Sequence, residues 1–278
     1  MKICIEKFKE NLRPIVQLVL IVFSILLPTL INASYWIKFL FENSEINFDT
    51  AKYYFLLKIG NWGAGIVLMF FMLSKVKNFN KEKTLNTRNV YHDYSYIWYW
   101  ICAKILGYTK CNLKLVPIHM QFKLILNDTF AEYNVGSEED YPLIENEIIQ
   151  INKVNWNPNQ EVNLVLADTY PISQSQMPSS KSQLPTLFIN RQRPDLSRYY
   201  SPQFIATIVD EVRKLPSNKM IINVFSTTNA KHTKKIAENA FKLANRGNIK
   251  KLLVFQQNNS GKRKFEKKGK VIYNYLQS

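Results

Sequence analysis

The sequence predicts a membrane-anchored α/β protein: two N-terminal transmembrane helices, then a Rossmann-like, mainly parallel α/β domain. Three observations carry that prediction. No charged residue occurs from Pro14 to Ile37. A second apolar run, Tyr53 to Ser74, holds one charge, Lys58 near its start. From residue 112 onward, strand-like and helix-like segments alternate, the pattern of strands joined by helical crossovers.

Residues 1–13 form a basic tail with Lys2, Lys7, Lys9 and Arg13. Residues 14–37 are the first transmembrane helix, about 36 Å long at roughly 1.5 Å per residue and so long enough to cross the hydrocarbon. The run is too long for a signal peptide, and no small-residue cleavage pattern follows it. Residues 38–52 form a short loop with Glu42, Glu45 and Asp49, and residues 53–74 form the second transmembrane helix. Lys75, Lys77, Lys81, Lys83 and Arg88 follow it. Positive charge on both flanks predicts cytoplasmic termini, an external loop and a place in the cell's inner membrane. Ionisable groups are absent from the middle of both helices, which argues against an ion relay. Gly60 and Ala64 stand four apart, a spacing that lets helices approach closely, either within the hairpin or between copies of the chain. Residues 75–111 are a basic linker. Within it, Tyr94 to Tyr108 reads as an aromatic helix lying at the interface or packed in the soluble core.

The cytosolic domain spans 112–278. Ile118, Met120, Phe122 and Leu124 alternate as on a strand. Residues 137–151 read as a helix with Glu138, Glu139 and Asp140 near its start, where carboxylates suit the dipole. Val162 to Leu166 is a buried-strand run. The Ser/Gln/Pro stretch over 173–185 reads as a flexible loop or lid. "TLFINRQRPD" reads as a short strand ending at Arg191 and Arg193. Ser201 as N-cap and Pro202 at the first position open a helix whose stripe is Ile205, Ile208, Val209 and Val212. Ile221 to Phe225 is a strand, "STTN" a turn, Ala230 to Leu243 a helix with Gly247 as its cap, and Leu252 to Phe255 a strand. "KVIYNYL" closes the chain.

Composition narrows the function classes. Lys plus Arg is 37 against 21 Asp plus Glu, a formal charge of +16. That balance favours anionic partners, although membrane proteins also gain basic charge simply to fix topology. Cys4, Cys102 and Cys111 have no zinc-like spacing, and His92, His119 and His232 are scattered, so no metal or other cofactor is predicted. Walker, dinucleotide-binding and G-x-S-x-G motifs are absent, as are helix-turn-helix and aromatic RNA-binding signatures. A nucleic-acid partner is therefore not favoured.

In open parallel sheets, ligands lie beyond the carboxyl ends of the strands. Those ends carry Asp168 and Thr169; Arg191 and Arg193; Ser226, Thr227, Thr228 and Asn229; and Gln256 with Gln257. Lys231 and Lys234 sit in the first turns of the following helix, against the usual dipole preference, which fits a bound phosphate. Ordinary capping by Thr228 or Asn229 with surface lysines explains the same residues. Asp168 standing alone is not a specific general-base signal.

The segment "INVFSTTNAKHTKKIAENAFKLANRGNIKKLLVFQQ…VIYNYL" is loosely similar to the closing half of a SAVED domain. The whole layout resembles two-helix membrane effectors with a SAVED or CARF-like sensor from cyclic-nucleotide antiphage systems. That resemblance implies a cyclic oligonucleotide ligand, homo-oligomeric assembly and membrane disruption. Two other classes fit the residues: a membrane-anchored enzyme acting on a nucleotide or phosphorylated substrate, and a membrane scaffold for a protein partner.

Overall fold

A computed structural model describes residues 2–41, 47, 50–192, 198–216, 220–242, 249–258, 261 and 263–275. The chain divides into two compact units: Met1–Val90 with Ile97–Lys110, and Tyr91–Tyr96 with Cys111–Ser278.

The first unit holds α1 (Lys2–Leu30), α2 (Ala33–Phe41), α3 (Ala51–Asn80), the short strand β1 (Thr84–Leu85) and α4 (Tyr96–Trp100), which continues as a π-helical turn over Ile101–Ile105. The single helix expected over 14–37 is two helices. They part at a turn where Asn32 takes φ 47, just after Pro28 removes a helical donor from the last turn of α1. Along α1 the buried positions are Asn11, Pro14, Gln17, Ile21, Ser24 and Pro28. Their spacing of three and four draws one stripe down the helix. Val19, Leu20, Val22, Phe23 and Leu26 are exposed on the other faces, as lipid-facing residues are.

Polar clasps mark both ends of the α1–α3 pair. Gln17 and Asn80 exchange reciprocal amide bonds at 2.9 Å, and Asn80 Nδ2 also donates 2.8 Å to the Leu106 carbonyl. At the far end, Asn61 Oδ1 accepts from the Ser34 amide at 2.8 Å and its hydroxyl at 2.9 Å, while Asn61 Nδ2 donates to Asn32. Asn61 to Asn80 measures about 28 Å at a helical rise of about 1.5 Å per residue. The hydrocarbon layer is about 30 Å thick. The clasps thus bracket an apolar segment of about the length that a bilayer core requires.

Close helix approach falls at Gly65, not at the Gly60–Ala64 pair. A Cβ on Gly65 would lie 2.2 Å from the Ile25 carbonyl oxygen, whereas one on Gly60 would meet nothing within 4 Å. Gly60 instead makes a kink, with φ 70 and ψ −177, a region that only glycine occupies readily. Gly60→Ala and Gly65→Ala are both expected to lower the melting temperature in detergent, Gly60→Ala by straining the backbone at a cost of order 1–3 kcal/mol. Only Gly65→Ala should lengthen the α1–α3 distance read by spin labels. An unchanged distance would remove Gly65 as the contact point.

The aromatic helix α4 belongs to this hairpin unit. Trp98 Nε1 donates 3.0 Å to Asn11, and Asn86 donates 3.2 Å to the Tyr99 hydroxyl. Tyr99, Cys102 and Leu106 are buried while Ile97 and Trp100 are exposed.

The second unit holds α5 (Ile118–Leu126), β3 (Glu132–Asn134), β4 (Ile149–Val154), β5 (Glu161–Ala167), β6 (Thr186–Arg191), α6 (Pro202–Arg213), β7 (Met220–Ser226), α7 (Ala230–Ile236, extended by a π-helical turn to Lys242), β8 (Ile249–Phe255) and β9 (Lys270–Asn274). The strand β2 (Lys110–Asn112) begins at the boundary. The main sheet has the order β4-β6-β5-β7-β8-β9. It is mixed: β6, β5, β7 and β8 run parallel, and the edges β4 and β9 are antiparallel. Alternation along the strands buries both faces. One face carries Val165, Phe188, Phe225 and Phe255, covered by Ile172, Met177 and Phe265. No helical residue belongs to that cluster. Helices α6 (against β4 and β6), α5 (against β8 and β9) and α7 (against α5 and α6) cover the other face.

Three expectations are corrected. Residues 118–126 are a helix, not a strand. Pro117 caps it, and Met120, Gln121, Phe122, Leu124 and Ile125 are all buried. A helix buried on most of its surface has no polar face to set a 3.6-residue rhythm, so a period of two reads through by chance. Residues 137–148 are not helical. Asp140 takes the Ser137 amide at 2.8 Å, its hydroxyl at 2.9 Å and the Lys114 ammonium at 2.6 Å, so the acidic cluster closes a loop. The 173–185 stretch is pinned, not free: Met177 is buried in the aromatic cluster, Ser173 and Gln176 form a capping box, and Asn163 donates 2.7 Å to the Lys181 carbonyl. The expected helix end at Leu243 and its cap Gly247 lie outside the described residues.

Candidate functional site at the carboxyl ends of the parallel strands

From β5 the chain crosses to β6 on one side, then returns past β5 to β7 on the other. The order reverses between β5 and β7, so those two carboxyl ends form the topological switch point of the sheet. Asp168 and Thr169 leave β5 there, and Thr227 to Asn229 follow β7. Inward and outward alternation puts Asp168 and Arg191 on the helix-bearing face, beside α7.

The ends are knitted together. Asp168 accepts the Asn229 amide at 2.9 Å and meets His232 Nδ1 at 2.6 Å on Oδ2, while Arg191 Nη1 donates to Oδ1. Arg191 Nε is held by both Glu147 oxygens at 2.9 and 2.8 Å. These side chains are almost fully enclosed, with exposures of 0% for Asp168 and His232, 1% for Arg191 and 4% for Glu147. Burial pushes the Asp168 carboxyl upward, but His232, Arg191 and the Asn229 amide outweigh it and hold it below the usual carboxylate range. Burial also opposes the Arg191 charge, and Glu147 with Asp168 more than restores it. Arg191 Nη2 finds no partner among the described residues.

His232 Nε2 accepts the Ser201 amide at 2.9 Å. A backbone N–H can only donate, so Nε2 carries the lone pair and Nδ1 the proton given to Asp168. The imidazole is neutral and both its nitrogens are engaged. The Asp–His pair fixes the start of α6 against α7 and has no nitrogen left to take a proton from a substrate.

The "STTN" hydroxyls are engaged in the same way. Ser226 Oγ and Thr228 Oγ1 lie 2.6 Å apart, and Thr228 Oγ1 and Thr233 Oγ1 lie 2.8 Å apart. Thr227 Oγ1 accepts the Asp168 amide at 3.2 Å and donates to the Tyr170 carbonyl at 2.8 Å, while Thr169 Oγ1 donates to the Thr227 carbonyl at 2.6 Å. Asn229 is the N-cap of α7, its side chain accepting the His232 amide at 2.9 Å. The structure therefore brings Asp168, Thr169, Arg191 and Ser226 to Asn229 into one cluster. Lys231 is half-buried beside it, with Nζ 4.6 Å from the Tyr200 ring centroid. Lys234 turns elsewhere and donates 2.9 Å to the Tyr133 carbonyl. Gln256 meets His119 at 3.2 Å beyond the next strand, where burial holds the His119 pKa below its ordinary value. Arg193 lies outside the described residues.

Sequence reasoning missed His232, Glu147 and the rim aromatics. Tyr170 is exposed, with Arg263 4.0 Å from its ring centroid. It and Tyr200 give two cation-topped aromatic rings near the carboxyl ends of β5 and β7. With a neutral His232, the buried cluster of Asp168, Glu147 and Arg191 carries one net negative charge. The cations fit to meet an anion are thus Lys231 and Arg263, at the rim.

No curated protein matches this chain. Among the solved structures similar to this chain are two of an Acinetobacter baumannii Cap4 SAVED/CARF-domain containing receptor, one with the cyclic trinucleotide 2'3'3'-cAAA and one with 3'3'3'-cAAA. Sequence identity is 9% and 10%, and TM-scores are 0.42 and 0.39. The matches cover 77% and 74% of this chain and 44% and 42% of those chains, less than half of the receptor's length. The family model of the SMODS- and Ubiquitin system-associated 2TM effector domain matches residues 1–272.

Proposed function

From the premise that this chain belongs to the SMODS- and Ubiquitin system-associated 2TM effector domain family, we propose that it is a membrane-tethered sensor and effector. Its α/β unit binds an anionic ligand, a cyclic oligonucleotide, on the cytosolic side of the membrane. Binding favours self-association, which repacks the hairpins and disrupts the membrane. The observation that carries the reading is the switch point between β5 and β7. It is the place where open sheets of this kind hold ligands, and here polar groups line it and aromatic–cation pairs stand beside it. The buried cluster of Asp168, Arg191, Asn229 and His232 sets the loops, and the ligand meets the rim. Bases stack on Tyr170 and Tyr200, and phosphates face Lys231 and Arg263. Ligand binding changes the hairpins only through differential affinity for the two packings.

The test is a melting shift of the full chain in detergent with a panel of linear and cyclic nucleotides. At about a hundredfold excess over Kd the gain is roughly 2.7 kcal/mol. Lys231→Ala and Arg263→Ala should lose most of the shift and leave the ligand-free melting temperature nearly unchanged, because both side chains lie at the rim. A flat response across the panel, with the wild-type protein folded, sinks the reading. Turnover of a nucleotide during the experiment would favour the enzyme class instead.

A further inference from the structure

We propose that the hairpin unit carries a second anion site, for a single phosphate group, between the start of α1 and the segment after α3. It goes beyond the ligand reading above and does not depend on it. A cavity of about 120 Å³ opens there, lined by Lys9, Arg13 and Arg88 with Thr84, Thr87 and Tyr108. Three basic residues and three hydroxyl-bearing residues thus share its wall, and Arg13 is hydrogen-bonded to the Tyr108 side chain. The carboxylate in its wall, Glu10, is already engaged: its two oxygens accept the Thr87 amide at 2.8 Å and the Arg88 amide at 3.0 Å. That carboxylate is nearly buried, lies 3.8 Å from Arg88 Nε, and holds the loop against α1. Glu6 pairs with Arg88 at 2.7 Å and with Lys9 at 3.3 Å, but all three side chains are exposed. Exposed pairs of this kind are worth little and exchange readily, whereas a phosphate takes charge-assisted bonds from several donors at once. Burial pushes the Tyr108 phenol up to about 12 and outweighs the hydrogen bond from Arg13, which lowers it.

Size and level decide what enters. Pockets for drug-sized ligands run to about 300–1,000 Å³, so this cavity is too small for a whole nucleotide and suits one phosphate. Lys9, Arg13 and Pro14 lie where α1 passes from charged to uncharged sequence. The Gln17–Asn80 clasp sets the same level on α3, one turn further in. That level is the headgroup region, where basic and aromatic residues collect. The shared chemistry is a phosphate oxyanion, supplied by a phospholipid headgroup or by a soluble phosphate.

The experiment uses the full chain in a neutral detergent, with melting temperature as the readout. The additions are phosphatidic acid, phosphatidylcholine and inorganic phosphate, and the variants are Arg13→Gln and Lys75→Gln. Lys75, on α3, is an exposed cation that does not line the cavity. A rise with phosphatidic acid, largely lost in Arg13→Gln and kept in Lys75→Gln, supports a lipid phosphate. The same pattern with inorganic phosphate alone supports the site and assigns its source to the soluble pool. No rise with any addition overturns the proposal. So does an equal loss in Arg13→Gln and Lys75→Gln, which is what general charge attraction gives. If Arg13→Gln already melts lower without additions, Lys9→Gln replaces it, and retention of the full rise in that variant is equally decisive against the site.

Discussion

Arg191→Met is expected to cost about 3–5 kcal/mol of stability in the α/β unit, the range for breaking a buried ion cluster by removing one partner. The guanidinium holds both Glu147 oxygens and one Asp168 oxygen, and those carboxylates are almost fully enclosed, so water is a poor replacement for it. The loss should depend on pH in a defined direction. Without Arg191, the two buried carboxylates have folded pKa values raised above their unfolded values of about 3.9 and 4.3. A raised folded pKa gives stability that is present below the unfolded value and is lost as pH rises. In the wild type the Asp168 pKa is depressed, so its contribution is present at neutral pH and is lost as pH falls. The two stability curves should therefore converge toward pH 4 and diverge toward pH 7. Chemical denaturation of both proteins across that window checks this. A deficit that is constant with pH would mean that Arg191 acts by packing on Phe204, whose ring centroid lies 6.0 Å from it. Replacing all three groups together (Glu147→Gln, Asp168→Asn, Arg191→Met) should recover much of the loss, because it leaves no unpaired buried charge.

That cluster also shows where sequence reading stops. Strands β5, β6 and β7 and helix α6 were legible because each announces itself locally. Apolar runs end at polar residues, and Ser201 with Pro202 signals a helix start that the structure reproduces, with Ser201 Oγ accepting the Phe204 amide. Asp168, Arg191 and Asn229 were legible as strand-end polar residues. Their partners were not. Glu147 looked like one more carboxylate in an acidic stretch, and its role depends on Arg191, 44 positions away. His232 stood out only as one of three scattered histidines, and its contacts with the Ser201 amide and Asp168 are what give it a role. Strand direction was equally silent. Alternation of strands and helices argues for parallel pairing, yet β4 arrives from an irregular loop and β9 follows a turn, so neither edge is set by a helical crossover. In the membrane section, composition located the apolar runs, but a run does not record where its helix turns or which amides meet across it. Asn32, Gln17 and Asn80 were unremarked for that reason.

Asn80→Leu is expected to cost the hairpin about 1–3 kcal/mol for each polar group it leaves unpaired. It strands the Gln17 amide and the Leu106 carbonyl, both partners of Asn80 in the wild type. Gln17 is 7% exposed and Asn80 is fully buried, so neither is compensated by bulk water. Gln17→Leu alone should be destabilising for the same reason. The double variant Gln17→Leu/Asn80→Leu removes both amides together and should be better than the sum of the two, leaving only the Leu106 carbonyl to find water. The coupling expected for an interhelical amide pair in a membrane is about 0.6–2 kcal/mol. Thermal or steric-trap unfolding of the four proteins in one detergent gives that number. Strict additivity would mean that the amides do not cooperate and that packing at Gly65 sets the register alone. The same variants bear on the proposed effector role. A hairpin that acts by repacking needs its resting register held by contacts that are specific yet few. If Gln17 and Asn80 hold it, Asn80→Leu should raise ligand-independent leakage of a dye from proteoliposomes, while the better-packed double variant leaks less than Asn80→Leu does. Equal and low leakage from all four proteins would separate the clasp from the effector step and leave it as a folding device alone.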